Sequence, residues 1–207
     1  MQITSKKELR FVILADQMMN RGFFVPSYKD KIKRIFIPDY IINYLQLIRK
    51  VSYYHSRNGI WDRIMFFLLY KKYLKLGVKL GFSIGFDTLG YGAVIPHYGT
   101  IVIGGTNRIG NYAVLHTSTC ISDNGKIIGD GLCLATGAKI TSMLTLGNNI
   151  SVGANSLVNK SFVENNALIG GVPAIMIRQS EPWYIRDGME YFNRVQKVER
   201  MRAQYNL

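Results

Sequence analysis

Three histidines, His55, His97 and His116, are the side chains of this sequence suited to taking and returning a proton near neutral pH. An alcohol is a poor nucleophile until a base removes its proton during attack, and an imidazole can be that base. His97 opens the run His97-Tyr98-Gly99-Thr100-Ile101-Val102-Ile103, and His116 is followed by Thr117. His55 falls in a segment with helical spacing and reads as surface. The two cysteines, Cys120 and Cys133, read as packed thiols, because no export signal precedes them and a reducing cytosol is expected.

The segment that carries His97 and His116 has its own grammar. Residues 81–171 hold 16 of the 20 glycines and one proline, Pro96. An aliphatic residue recurs at every sixth position: Ile103, Ile109, Leu115, Ile121, then after one extra residue Ile128, Leu134, Ile140, Leu146, Val152 and Val158. A period of six is neither that of a helix nor that of a simple strand. It fits a solenoid in which each hexad is a short strand plus a corner and three hexads close a triangular coil. Residues 84–170 then make about five coils, with the anchors stacked inward in columns and the strands paired in parallel. Glycine after Ile109, Ile128, Leu146 and Val152 suits corners that need a left-handed backbone.

The flanks are helical and carry the charge. Residues 1–80 contain 16 Lys or Arg against 5 Asp or Glu, residues 81–170 have 4 against 4, and residues 171–207 have 6 against 4, for a net +13. Ser5-Lys6-Lys7-Glu8 fits a capping box opening a helix that closes near Gly22. Asp39 caps a second helix with Ile41, Ile42, Leu45 and Ile48 at helical spacing. A third runs from about Trp61 to Leu76; its amphipathic pattern admits packing on the protein or a neighbouring subunit, or lying on a membrane surface. Trp183, Tyr184, Tyr191, Phe192, Val195 and Val198 predict a C-terminal helix. No nucleic-acid-binding motif accompanies the basic charge, so no nucleic-acid partner is expected. The longest apolar run, Ile64–Tyr70, is too short to span a bilayer, and a soluble, cytoplasmic chain is expected, with the inner membrane face as a further location.

The stretches Pro96–Gly104, Gly137–Ile140, Val152–Val158 and Gly170-Gly171-Val172-Pro173-Ala174 resemble the hexapeptide-repeat acyltransferases, most closely their serine acetyltransferase branch. The resemblance covers about residues 81–178. It implies an all-β left-handed parallel β-helix of about five coils, flanked by an α-helical N-terminal region (1–80) and a C-terminal helical extension (179–207). It places the catalytic histidine at His97, with His116 as a second candidate lining the same cleft. Acetyl-CoA is the implied co-substrate, with no metal. Small residues Gly137, Ala138, Gly153 and Ala154 are candidates for the pantetheine arm, and Lys139, Lys160 and Arg178 for the phosphates. Tyr98, Thr117 and Asp123 are candidates for the acceptor side, and a homotrimer with its groove between subunits is implied.

Departures from that branch steer the acceptor expectation. Where the branch has an aspartate to orient its histidine, this sequence offers Ser83, with Asp87 out of register. Where it has a loop with a second histidine, this sequence has only Ser122-Asp123-Asn124-Gly125-Lys126. The His-Tyr-Gly-Thr run and basic helical N-terminus are similar to those of polysaccharide O-acetyltransferases. The expectation is therefore O-acetylation of a sugar hydroxyl in a capsule or related glycan. Serine O-acetyltransferase is the alternative, followed by a sugar-nucleotide N-acetyltransferase and a non-catalytic solenoid subunit. A zinc carbonic anhydrase on the same coil would need three converging histidines, and His55 lies outside the repeats.

Overall fold

The computed structural model describes the backbone of all 207 residues and every side chain except that of Arg34. Four helices come first: α1 (Lys6–Arg21), α2 (Tyr28–Phe36), α3 (Tyr40–His55) and α4 (Ile60–Leu80). The solenoid follows with β1 (Phe82–Ile84), β2 (Ile101–Ile103), β3 (Arg108–Ile109), β4 (Val114–Leu115), β5 (Thr119–Ile121), β6 (Ile127–Ile128), β7 (Cys133–Leu134), β8 (Lys139–Ile140), β9 (Thr145–Leu146), β10 (Ser151–Val152), β11 (Leu157–Val158), β12 (Ala167–Gly171) and β13 (Ala174–Gln179). Helices α5 (Trp183–Arg186) and α6 (Met189–Gln204) close the chain.

Three sheets wall the solenoid, in the orders β1-β2-β5-β8-β11, β3-β6-β9 and β4-β7-β10-β12-β13. All pairings are parallel except β12 with β13, which turn back on each other and end the coil. The six-residue anchors form the expected columns. Ile103 pairs with Ile121, Ile121 with Ile140, and Ile109 with Ile128, while Leu115, Leu134, Val152 and Ile169 stack in series. Each anchor is almost wholly buried, and full burial of such a side chain contributes about 1.5–3 kcal/mol.

A second core lies on the outer face of the β4-β7-β10 sheet. There Val114 and Cys133 pack with Phe11, Val12, Ala15 and Met19 of α1, Trp183 of α5, and Val195 and Val198 of α6. A buried ion pair fastens the helices to the first coil. Arg49 of α3 donates from Nε to Asp16 Oδ2 of α1 at 2.8 Å, from Nη1 to the Leu89 carbonyl and from Nη2 to the Gly90 carbonyl, each of these two at 2.6 Å. Asp16 Oδ1 also accepts the Ala93 amide at 3.1 Å.

Several helical expectations are refined. Ser5 caps α1 by accepting the Glu8 amide, but the Glu8 carboxylate reaches back to the Thr4 amide rather than to Ser5. Helix α2, with a complete capping box between Ser27 and Asp30, has no counterpart in the sequence reading, because its nine residues fall short of the window of about 11–18 residues in which helical periodicity stands out. Helix α4 continues to Leu80, where Gly81 at φ 78° closes it. The C-terminal helix is two helices, broken at Asp187 and Gly188, whose φ of 107° no regular helix admits.

Candidate active site at one corner of the solenoid

The corner between the β4-side sheet and the β1-side sheet gathers most of the candidate residues. Residues 96–100, 116–118, 135–138 and 153–156 make successive levels of it. The levels are tied together by backbone bonds: Thr119 N to Thr100 O, Gly137 N to Thr117 O at 3.1 Å, and Asn155 N to Thr136 O at 2.9 Å. Val94 bridges Val114 on one side and Ile101 pairs with Thr119 on the other. Seven steps on the upper level therefore span what five span below, so the crossing Pro96–Thr100 holds two extra residues, and His97 and Tyr98 are exposed there.

His116 sits on the next level, half-buried, following β4. Its carbonyl accepts the Thr119 hydroxyl at 2.8 Å and its amide donates to Leu134 O, so its backbone is fixed on both sides. Burial pulls its imidazole pKa below the ordinary 6.5; the Asp187 carboxylate opposes that shift and His97 adds to it. The two imidazoles thus lie within electrostatic reach of one another, and burial favours the neutral, proton-accepting form of His116.

Two residues that sequence reasoning missed hold this corner. Asn20 of α1 donates from Nδ2 to Ala93 O at 2.8 Å and accepts the Ile95 amide at 3.1 Å, gripping the chain two residues before His97. Its only sequence signal was its place near the end of α1. Asp187 faces His116 electrostatically from the break between α5 and α6. Its neighbour Arg186 is anchored on the same sheet by Nη1 to Ser151 Oγ at 3.0 Å and Nη2 to Cys133 Sγ at 3.8 Å. A continuous helix would have hidden that role; the Asp187-Gly188 pair was the available sign.

The other candidates fall into place as follows. Thr117 lies on the corner, its Cγ2 about 3.1 Å from where a Cβ on Gly99 would be. Gly137 and Ala138 are buried, Ala138 fully. Gly137 has φ 77°, and a Cβ there would come within 2.0 Å of Asn155 Oδ1, so the coil itself requires its small size. Gly153 is half-buried and Ala154 exposed on the level below. Lys139 begins β8 with Nζ on Gly137 O at 3.0 Å, beside the corner. Lys160 instead lies just beyond the far end of β11, over the Phe162 ring at 5.5 Å. Arg178 is on the terminal strand β13, paired with Leu168. Asp123 lies past the opposite end of β5 from His116, where its Oδ1 accepts from both the amide and the hydroxyl of Thr106. Those bonds hold its carboxyl below the usual range and make it a turn clasp.

The alternative carboxylates belong elsewhere. Asp87 accepts from Ser52 Oγ at 2.5 Å and stands 3.9 Å from His55, whose ring packs on Phe66 and Phe86. Ser83 is exposed on β1, opposite Val102. Both cysteines are free thiols, with burial pushing the Cys133 thiol up. Among the described residues, no three His, Cys, Asp or Glu side chains gather as a metal site would require. A concavity of about 460 Å³, lined by Lys6, Lys7, Arg10, Gln204 and Tyr205, draws on none of the corner residues.

No family model matches the chain. A serine acetyltransferase of Staphylococcus xylosus is 26% identical over 173 residues, which cover 75% of this chain and 79% of that protein. The fold is shared with solved serine acetyltransferases. One in complex with CoA has a TM-score of 0.58 at 18% identity, covering 83% of this chain and 69% of that one. Another, in complex with cysteine, has a TM-score of 0.57 at 19% identity and covers 84% of this chain. This chain spans 65% of the length of that structure, just under two thirds.

These relatives overturn the expected glycan acceptor, since their names place them with serine rather than polysaccharide chemistry. The physical reason is visible in the corner. The run from Pro96 to Thr100 makes the crossing into β2, a structural task that these residues perform whatever the acceptor.

Proposed function

We propose that the chain is an acetyl-CoA-dependent serine O-acetyltransferase, working as a homotrimer with its groove completed by a neighbouring subunit. The observation that carries this reading is the likeness to a serine acetyltransferase over three-quarters of the chain, in a fold that sets His97 and His116 on one solenoid corner. The exposed corner supports the trimer, because on one subunit His97 and Tyr98 stand outward with solvent where a second wall would be needed to exclude water.

In this reading His97 is the general base. Its imidazole takes the proton from the serine hydroxyl as the oxygen attacks the thioester carbonyl, forming the C–O bond. The carbonyl π electrons move to oxygen, and a backbone amide of the corner donates to that oxyanion. Collapse breaks the C–S bond, and the imidazolium returns its proton to the departing thiolate, giving O-acetylserine and CoA. His116, kept neutral by burial, adds no positive charge beside His97 and leaves it free to accept the proton. Asp187 sets a carboxylate toward His116, where it opposes the downward pull of burial on that imidazole. Of the phosphate candidates, Lys139 alone adjoins the corner; Gly153 and Ala154 offer the low wall for the pantetheine arm.

Thiol release from acetyl-CoA with L-serine, and with glycine as the acceptor lacking a hydroxyl, tests the reading. Turnover with serine only, reduced about 10²–10⁴-fold by His97→Asn, is the expected result. Thiol release no greater with serine than with glycine overturns it.

A further inference from the structure

Helix α4 is apolar on two sides. Its inner side packs on the core through Tyr73, Gly77 and Leu80, with Phe66, Leu69 and Tyr70 beside them. Its outer half exposes Ile60, Trp61, Ile64, Phe67, Leu68, Leu74 and Val78, with Trp61 77% and Val78 85% exposed. A helix apolar all round is normally covered all round. Mixed into the same outer half are Arg63, Lys71, Lys72, Lys75 and Lys79. Helix α2 repeats the combination: it buries none of its described residues, and Tyr28, Ile32, Ile35 and Phe36 form one stripe flanked by Lys29, Lys31 and Lys33.

The charge decides the occupant. Helices α2 and α4 together carry 9 Lys or Arg and 2 Asp or Glu, a net +7. A second copy joined across a two-fold axis would set this lysine-rich patch against itself, and a neighbour in the proposed trimer would have to bury the same lysines against a different surface. The cores of protein interfaces are depleted in lysine. An anionic bilayer accommodates both features at once, taking aromatic and aliphatic side chains at the acyl boundary and ammonium groups among the phosphates. No described helix is long and apolar enough to cross a membrane. We propose that α2 and the outer half of α4 form a peripheral docking surface for an anionic lipid bilayer. The proposal stands on exposure and charge and does not depend on the acceptor.

The full chain, mixed with vesicles of phosphatidylcholine alone or of phosphatidylcholine with phosphatidylglycerol, tests it by co-sedimentation. Binding to the anionic vesicles only is expected, with release near ~1 M salt, where the screening length falls to about 3 Å. Lys71→Gln with Lys72→Gln should weaken binding roughly 25-fold, at about 5-fold per lysine. Trp61→Ser with Phe67→Ser should abolish it. Both variants should keep the wild-type helical circular dichroism and solution thiol release. Wild-type protein left in the supernatant with anionic vesicles overturns the proposal. So does a solution assembly that the Trp61→Ser/Phe67→Ser variant dissociates, which would make the face a contact between copies.

Discussion

The grip of Asn20 on the chain before His97 is the most direct link between the helical flank and the proposed general base. In Asn20→Ala, three hydrogen bonds disappear: Nδ2 to Ala93 O and to Asp16 O, both 2.8 Å, and the Ile95 amide to Oδ1 at 3.1 Å. Ile95 is fully buried, so its amide loses its partner without gaining water. An orphaned buried donor costs about 1–3 kcal/mol. For a chain of this length each kcal/mol lowers Tm by about 2–4 °C, which gives a fall of roughly 2–12 °C. Pro96 and His97 follow directly, and a displacement of about 1 Å at a reacting group can cost ~100-fold in rate. Thermal unfolding monitored by circular dichroism, run beside serine-dependent thiol release, reads both effects. The expected outcome is a lowered Tm and a 10- to 100-fold loss in kcat with KM little changed. Asn20→Asp, which keeps the acceptor for Ile95, should recover part of both. Wild-type Tm and wild-type kcat in Asn20→Ala would refute the reasoning, and a lowered Tm with unchanged kcat would sever α1 from the active corner.

Two other perturbations probe the electrostatics. His116 should titrate below 6.5 by NMR, further below in Asp187→Asn and less far below in His97→Asn; opposite movement in either variant removes the proposed grouping. Because its folded pKa is depressed, the stability it contributes is present above the unfolded value of about 6.5 and is lost as pH falls through the folded value. At the other end of the first coil, Asp16→Ala leaves the fully buried Arg49 guanidinium without its counter-charge and should cost about 3–5 kcal/mol in urea unfolding. Asp16→Leu combined with Arg49→Met should cost much less than the sum of the two single changes, since no charge is then stranded.

The solenoid was legible because its physics is local and repetitive. Each anchor must point inward once per strand, so Ile103, Ile121, Ile140 and Val158 had to fall into register once the period was seen. Helices α1, α3 and α4 were legible from caps and periodicity. The short α2 and the break at Gly188 were not, the first for want of length and the second because Trp183 to Val198 reads smoothly through it. The acceptor was misread from motif resemblance, since the residues invoked for a glycan serve the coil crossing.

What the sequence by itself determined is the coil, its core columns and the presence of imidazoles at His97 and His116, because repetition and residue chemistry are written along the chain. Tertiary structure alone decided which carboxylate faces His116 and what holds the approach to His97. Asp187 and Asn20 are 71 and 77 residues from the histidines they serve, and only the packing of α1 and of the α5–α6 break onto the solenoid brings them there. Hydrogen bonds and charge act through space, so no local pattern encodes such a meeting.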